Sequence, residues 1–165
     1  MRLFVAVHPP RDVEDVLAAL HRPPRDGVRW TGPPDWHVTL RFLGEVDDPV
    51  PVADALDVAD LAPCQAVLGP AVAVLGRGLL VVPVTGVDVL AAAVVGATAH
   101  VGAPPDPRPF RGHVTLARAR RGRVGGLAGE AVAARFPVTE VRLVRSNLGQ
   151  GSGPRYEVLH VRRLT

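Results

Sequence analysis

The sequence predicts an α+β fold: two pseudo-symmetric lobes, each an antiparallel sheet with helices outside, with the two H-x-T-x strands facing a central cleft. Three observations predict it. The tetrapeptide His-Val-Thr-Leu occurs twice, at residues 37–40 and 113–116, which lie 76 residues apart in a chain of 165. Each copy sits in an alternating apolar stretch with the two-residue period of a strand. Helix-like and strand-like stretches follow one another in a similar order in both halves. That order marks an internal duplication within a single bilobal domain, with approximate repeats 1–80 and 81–165.

The elements follow in order. Residues 2–8 read as a strand and 10–21 as a helix, with Val13, Val16, Leu17 and Leu20 at helical spacing after Pro10. A Pro/Gly-rich loop carries a short strand near residues 28–30, and Gly32-Pro33-Pro34 breaks the chain before the first motif strand, 36–43, which Gly44 ends. Residues 50–61 read as a helix, and 65–75 and 79–84 as strands around Gly76-Arg77-Gly78. The second half begins with a helix over 87–100. A loop with Pro104, Pro105, Pro107 and Pro109 leads to the second motif strand, 110–118. A weaker helix is expected over 125–135, where Gly125, Gly126 and Gly129 lower the propensity. Strands at 138–146 and 155–163 are joined by the loop 149–154. Whether the terminal strands cross into the other lobe is left open by the sequence.

Composition narrows the chemistry. All 19 basic residues are arginine. Without lysine there is no Walker-type phosphate loop, no Schiff-base chemistry and no nucleotidyl-lysine intermediate. Guanidinium forks do suit phosphate, although base composition accounts for most surface arginines. One cysteine, Cys64, allows no internal disulfide. No apolar run reaches the roughly 18–20 residues of a membrane span, and the N-terminal stretch reads as a strand and not as a signal peptide. A cytoplasmic chain with no membrane partner is expected.

Strand alternation puts His37 beside Thr39, and His113 beside Thr115, with the intervening Val and Leu turned to the core. Two imidazoles on facing strands form an acid–base pair, one neutral and one protonated near neutral pH. Displacement at phosphorus needs such a pair, and the threonine hydroxyls can hold non-bridging oxygens. No metal site is expected, because two histidines without further ligands hold a metal poorly. Arg41 and Arg111 share the motif face by alternation. Arg118 falls on the opposite face unless a bulge or the strand end redirects it. Phe42 falls on the core face, whereas Phe110 and Tyr156 are candidate stacking residues for a base.

At these residues the chain resembles the 2H phosphoesterase superfamily. Its flanks (residues 2–7, 36–44, 108–118 and 153–159) resemble the bacterial RNA 2′,3′-cyclic phosphodiesterases, also called 2′-5′ RNA ligases, nearly from end to end. The resemblance implies a metal-free, cofactor-free enzyme that opens a terminal 2′,3′-cyclic phosphate to a 2′-phosphate. It implies His37 as the acid on the leaving 3′-oxygen, His113 as the base on water, Thr39 and Thr115 as phosphate holders, and ATP-independent 2′-5′ ligation as the reverse reaction. It also matches Arg118 to an arginine after the second motif. The expected partners are RNA 3′ ends or small cyclic phosphates, bound by a monomer. A cyclic mononucleotide or ADP-ribose cyclic phosphate as substrate, and an RNA-binding module without catalysis, are the competing readings.

Overall fold

The computed structural model describes residues 1–120, 124–149, 151 and 153–165. Along them run β1 (Arg2–Val7), α1 (Arg11–Ala18), β2 (Val28–Trp30), β3 (Val38–Glu45), α2 (Val50–Val58), β4 (Cys64–Leu68) and β5 (Ala73–Leu75). There follow β6 (Leu79–Thr85), α3 (Asp88–Thr98), β7 (His113–Ala119), β8 (Ala134–Val138), β9 (Glu140–Ser146) and β10 (Tyr156–Arg163).

The fold is α+β, with antiparallel ladders. One lobe holds the strands in the order β10-β9-β1-β3. The other holds β7-β6-β4-β8, with β2 against β7 and β5 against β6. The lobes are joined where Val38 pairs with Val114. The terminal strands do cross: β9 and β10 complete the lobe of β1 and β3, while β4 joins β6 and β8. Helices α2 and α3 pack together over β3 and β10, and α1 packs on β8.

Alternation explains the burial. Leu3, Val5 and Val7 of β1 and Leu80, Val82 and Val84 of β6 enter one core with Val13, Leu17, Val52, Leu56, Leu90 and Val94 of the helices. Each such side chain contributes roughly 1.5–3 kcal/mol by leaving water. Phe4, Ala6 and Val144 point the other way and form a small second cluster with Tyr156, on the face that carries Thr39.

Four expectations need correction. The stretch 65–75 is two strands, because the chain turns at Gly69, whose φ of 118° and whose approach to the Val132 carbonyl leave no room for a Cβ. The first motif strand begins at Val38, so His37 stands at its entrance, and Gly44 lies within the strand instead of ending it. The second motif strand begins at His113, leaving Phe110 to Gly112 in the preceding loop. The helix over 125–135 is absent. A single 3-10 turn, Gly125–Leu127, takes its place, and β8 follows with Phe136 and Val138 buried in alternation against β4. Three glycines cost the helix more than its apolar residues return. Gln150 and Ser152 of the loop 149–154 lie outside the described residues.

Candidate active site

The antiparallel junction of β3 and β7 creates the site. Val38 and Val114 are fully buried on one face. Their sequence neighbours therefore emerge on the other. Antiparallel order places His37 on the Thr115 side of the junction and His113 on the Thr39 side. All four line one cavity of about 160 Å³ together with Arg29, Thr31, Asp35, Leu79, Arg118, Leu148, Arg155 and Tyr156.

His37 is held by aromatic neighbours. Its ring stacks on Phe4 at 4.8 Å and meets the edge of Tyr156 at 5.1 Å, with the ring of His8 at 5.9 Å. Burial is the main force that pushes its pKa down, to about 4. A hydrogen bond with the Asp35 backbone works against that, while the positive fields of Arg118 and His113 add to it. His113 is more open. Its Nδ1 lies 2.7 Å from the Arg111 carbonyl, which can only accept. The neutral form of the ring therefore carries its proton on Nδ1 and leaves a lone pair on Nε2.

Arg118 lines the cavity because β7 is irregular. Thr115 pairs with Val81 and Ala117 with Leu80, so Leu116 is an extra residue and reverses the alternation after it. Leu116 and Ala117 are both buried, and Arg118 comes out on the face of Thr115. Thr31 clamps this bulge. Its hydroxyl lies 2.7 and 3.0 Å from the Thr115 and Leu116 carbonyls, and it accepts the Trp36 indole N–H at 3.0 Å.

The same irregularity in β3 moves two residues from their expected places. Thr39 pairs with Ala6 and Arg41 with Val5, leaving Leu40 as the extra residue. Arg41 is thereby turned inward, 4 % exposed, and its guanidinium donates to the Phe42, Val101 and Ala103 carbonyls. It ties down the segment after α3 and does not line the cavity. Phe42, expected in the core, is 47 % exposed with the Arg2 guanidinium 5.2 Å from its ring centroid. Arg111 and Phe110 also stand outside the cavity lining, since both precede β7 and strand alternation does not govern them. Arg111 serves the site through its carbonyl alone.

Tyr156 is in the cavity, at the start of β10, with burial raising its pKa. Sequence reasoning missed Arg29, Thr31 and Arg155. Arg155 bridges to Asp35 at 3.5 Å, joining the loop before β10 to the loop before β3. Arg29 was visible as part of a short strand, but that strand's pairing with β7 carries no local signal.

Two histidine–threonine pairs on adjoining strands around one cavity are the architecture of a two-histidine phosphoesterase. A family model for LigT-like phosphoesterases matches residues 7–63. Among solved structures, a protein of Thermus thermophilus shares 28% identity, with 99% of this chain and 98% of that one covered and a TM-score of 0.75. Escherichia coli LigT shares 26%, with 99% and 98% covered and a TM-score of 0.79. A further phosphoesterase shares 26% over 99% and 98%, at a TM-score of 0.81. No curated protein gives a significant match over the chain. The matched segment and the fold make the chain similar to the LigT-like phosphoesterases of the 2H phosphoesterase superfamily.

Proposed function

We propose that the chain hydrolyses the terminal 2′,3′-cyclic phosphate of RNA to a 2′-phosphate, using His113 as base and His37 as acid. The observation that carries this reading is the convergence of His37, Thr39, His113 and Thr115 on one small cavity. The Nε2 of His113 takes a proton from water, whose oxygen attacks phosphorus. The bond from phosphorus to the 3′-oxygen breaks, and His37 delivers its proton to that oxygen. The two threonine hydroxyls and Arg118 face the oxygens on which charge develops. Proton exchange with solvent resets the two rings.

In the free site His37 is held neutral, and the positive field of Arg118 contributes to that. A phosphate anion beside Arg118 offsets this field and raises the His37 pKa, so substrate binding arms the acid. Ligation of 2′-5′ type follows the same path, with the 5′-hydroxyl of a second RNA attacking phosphorus in the place of water and the 3′-oxygen leaving as before. Among the described residues no group of three or more His, Cys, Asp or Glu could hold a metal ion, and the proton transfers above call on none. Escherichia coli LigT has been crystallised with 3′-AMP, a ligand that also carries a nucleoside phosphate. The small cavity keeps cyclic mononucleotides in play as alternative substrates.

Turnover of a cyclic-ended oligonucleotide and of a cyclic mononucleotide, in excess chelator, tests the reading. His37→Ala and His113→Ala should each lose about 10²–10⁴-fold or more. The double variant should lose far less than the product of the two. Activity that survives both substitutions would refute the two-histidine mechanism, and activity that chelator removes and a divalent metal restores would refute its metal-free form.

A further inference from the structure

Arg29 and Arg118 occupy directly opposed positions on the β2–β7 ladder. Cross-strand partners have Cβ atoms about 4.5–5.5 Å apart on a common face, and like charges placed so are destabilising. Both side chains line the cavity. Both also act electrostatically on Tyr156, another residue of the cavity lining. Among the described residues neither makes an ion pair with a carboxylate. Asp35, the acid of the cavity lining, is bridged by Arg155. Three guanidinium groups of the lining face one carboxylate. A cyclic phosphate diester carries a single negative charge, so the cavity holds one positive charge more than the reacting group can match.

From this we infer that Arg29 marks a second phosphate subsite, which takes the phosphate on the 5′ side of the terminal nucleotide while Arg118 and the threonines hold the cyclic one. The inference rests on the cyclic phosphodiesterase reading and deepens it: Arg29 distinguishes the end of a strand from a lone nucleoside cyclic phosphate. Guanidinium suits this task, since it pairs with phosphate oxygens through two parallel N–H donors. The site's repulsion is relieved when the second anion arrives.

Three substrates separate the possibilities: a nucleoside 2′,3′-cyclic phosphate with a free 5′-hydroxyl, the same molecule with a 5′-phosphate, and a dinucleotide ending in the cyclic phosphate. For the wild-type chain, adding the 5′ phosphate in either form should lower KM about tenfold, equivalent to roughly 1.4 kcal/mol. Arg29→Ala should remove that gain, with the loss falling in KM and not in kcat. Arg29→Lys should restore part of it, because an ammonium supplies charge without the fork. A gain confined to the dinucleotide would overturn the inference, since the added base and ribose would then be what the site recognises. An equal gain in Arg29→Ala, or a kcat loss shared by all three substrates, would also overturn it. Wild-type protein that turns over none of the three would overturn the cyclic phosphodiesterase reading itself, and the subsite with it.

Discussion

His8 and His37 are two neighbouring imidazoles, both with pKa values pushed down to about 4. Burial is the first cause for each. For His8 the fields of Arg142 and His37 add to it, and for His37 those of Arg118 and His113 do so, against the Asp35 hydrogen bond. Two predictions follow from the sign. In the proposed mechanism His37 must be protonated to act as acid, and kcat/KM reports the free enzyme whereas kcat reports the complex. The alkaline limb of kcat should therefore lie at higher pH than that of kcat/KM, because bound phosphate raises His37. Pre-steady-state and steady-state profiles would show it, and coincident limbs would contradict it. Stability should also respond. Above the unfolded value of 6.5 both states hold the rings neutral. Between 6.5 and about 4 the unfolded chain binds protons that the folded chain refuses, so stability falls as pH falls through that window. His8→Asn should make this fall shallower, as read from urea midpoints at several pH values. An unaltered slope would show that His8 is not held neutral by the fold.

At the scale of elements, the sequence carried the helices and the motif strands because their periods are strong. It also carried the two histidine–threonine pairs, because each pair spans only one alternation. It did not carry what lies beyond the extra residues Leu40 and Leu116. One inserted residue reverses every later side chain, which is why Arg41 and Phe42 exchanged faces and why Arg118 reached the cavity. Nothing local in the sequence announces such a bulge; it depends on a partner strand distant in the chain. Strand β8 was hidden for a different reason, since its Ala-Val-Ala-Ala approach fits a helix as well as a strand. The clamp on the β7 bulge gives a testable consequence. Thr31→Val strands the buried indole N–H of Trp36 and frees the Leu116 bulge. It should cost about 1–3 kcal/mol of stability and reduce turnover through misplacement of Arg118. Adding Trp36→Phe removes the stranded donor, so the double variant should be less destabilised than the sum of the two singles. Urea denaturation of all three variants checks this, and strict additivity would mean that the pair is not coupled.

At the scale of the molecule, the spacing of the two motifs carries over to other elements. Moving along by the same 76 residues takes β1 onto β6, α1 onto α3, β3 onto β7 and β4 onto β9. The central order β1-β3-β7-β6 reads the same from either end under that exchange. Helix α2 falls on the glycine-rich 3-10 turn at Gly125–Leu127, where the second half has a 3-10 turn in place of a helix. These correspondences favour a duplicated origin, yet the copies do not fold apart. Residues 80 and 81, where the repeats would divide, lie inside β6. Strand β1 needs β9, β4 needs β8, α3 rests on β3, and one core connects both lobes. Cutting between 80 and 81 would strip each fragment of strands that bury its sheet. The chain should therefore unfold as one cooperative unit, with far-UV circular dichroism and the fluorescence of Trp30 and Trp36 giving coincident urea transitions. Fragments 1–80 and 81–165 should each be unfolded alone and should recover structure, and some turnover of a cyclic phosphate, only when mixed. A folded and independently stable fragment, or two separate transitions in the whole chain, would show that the lobes are autonomous domains after all.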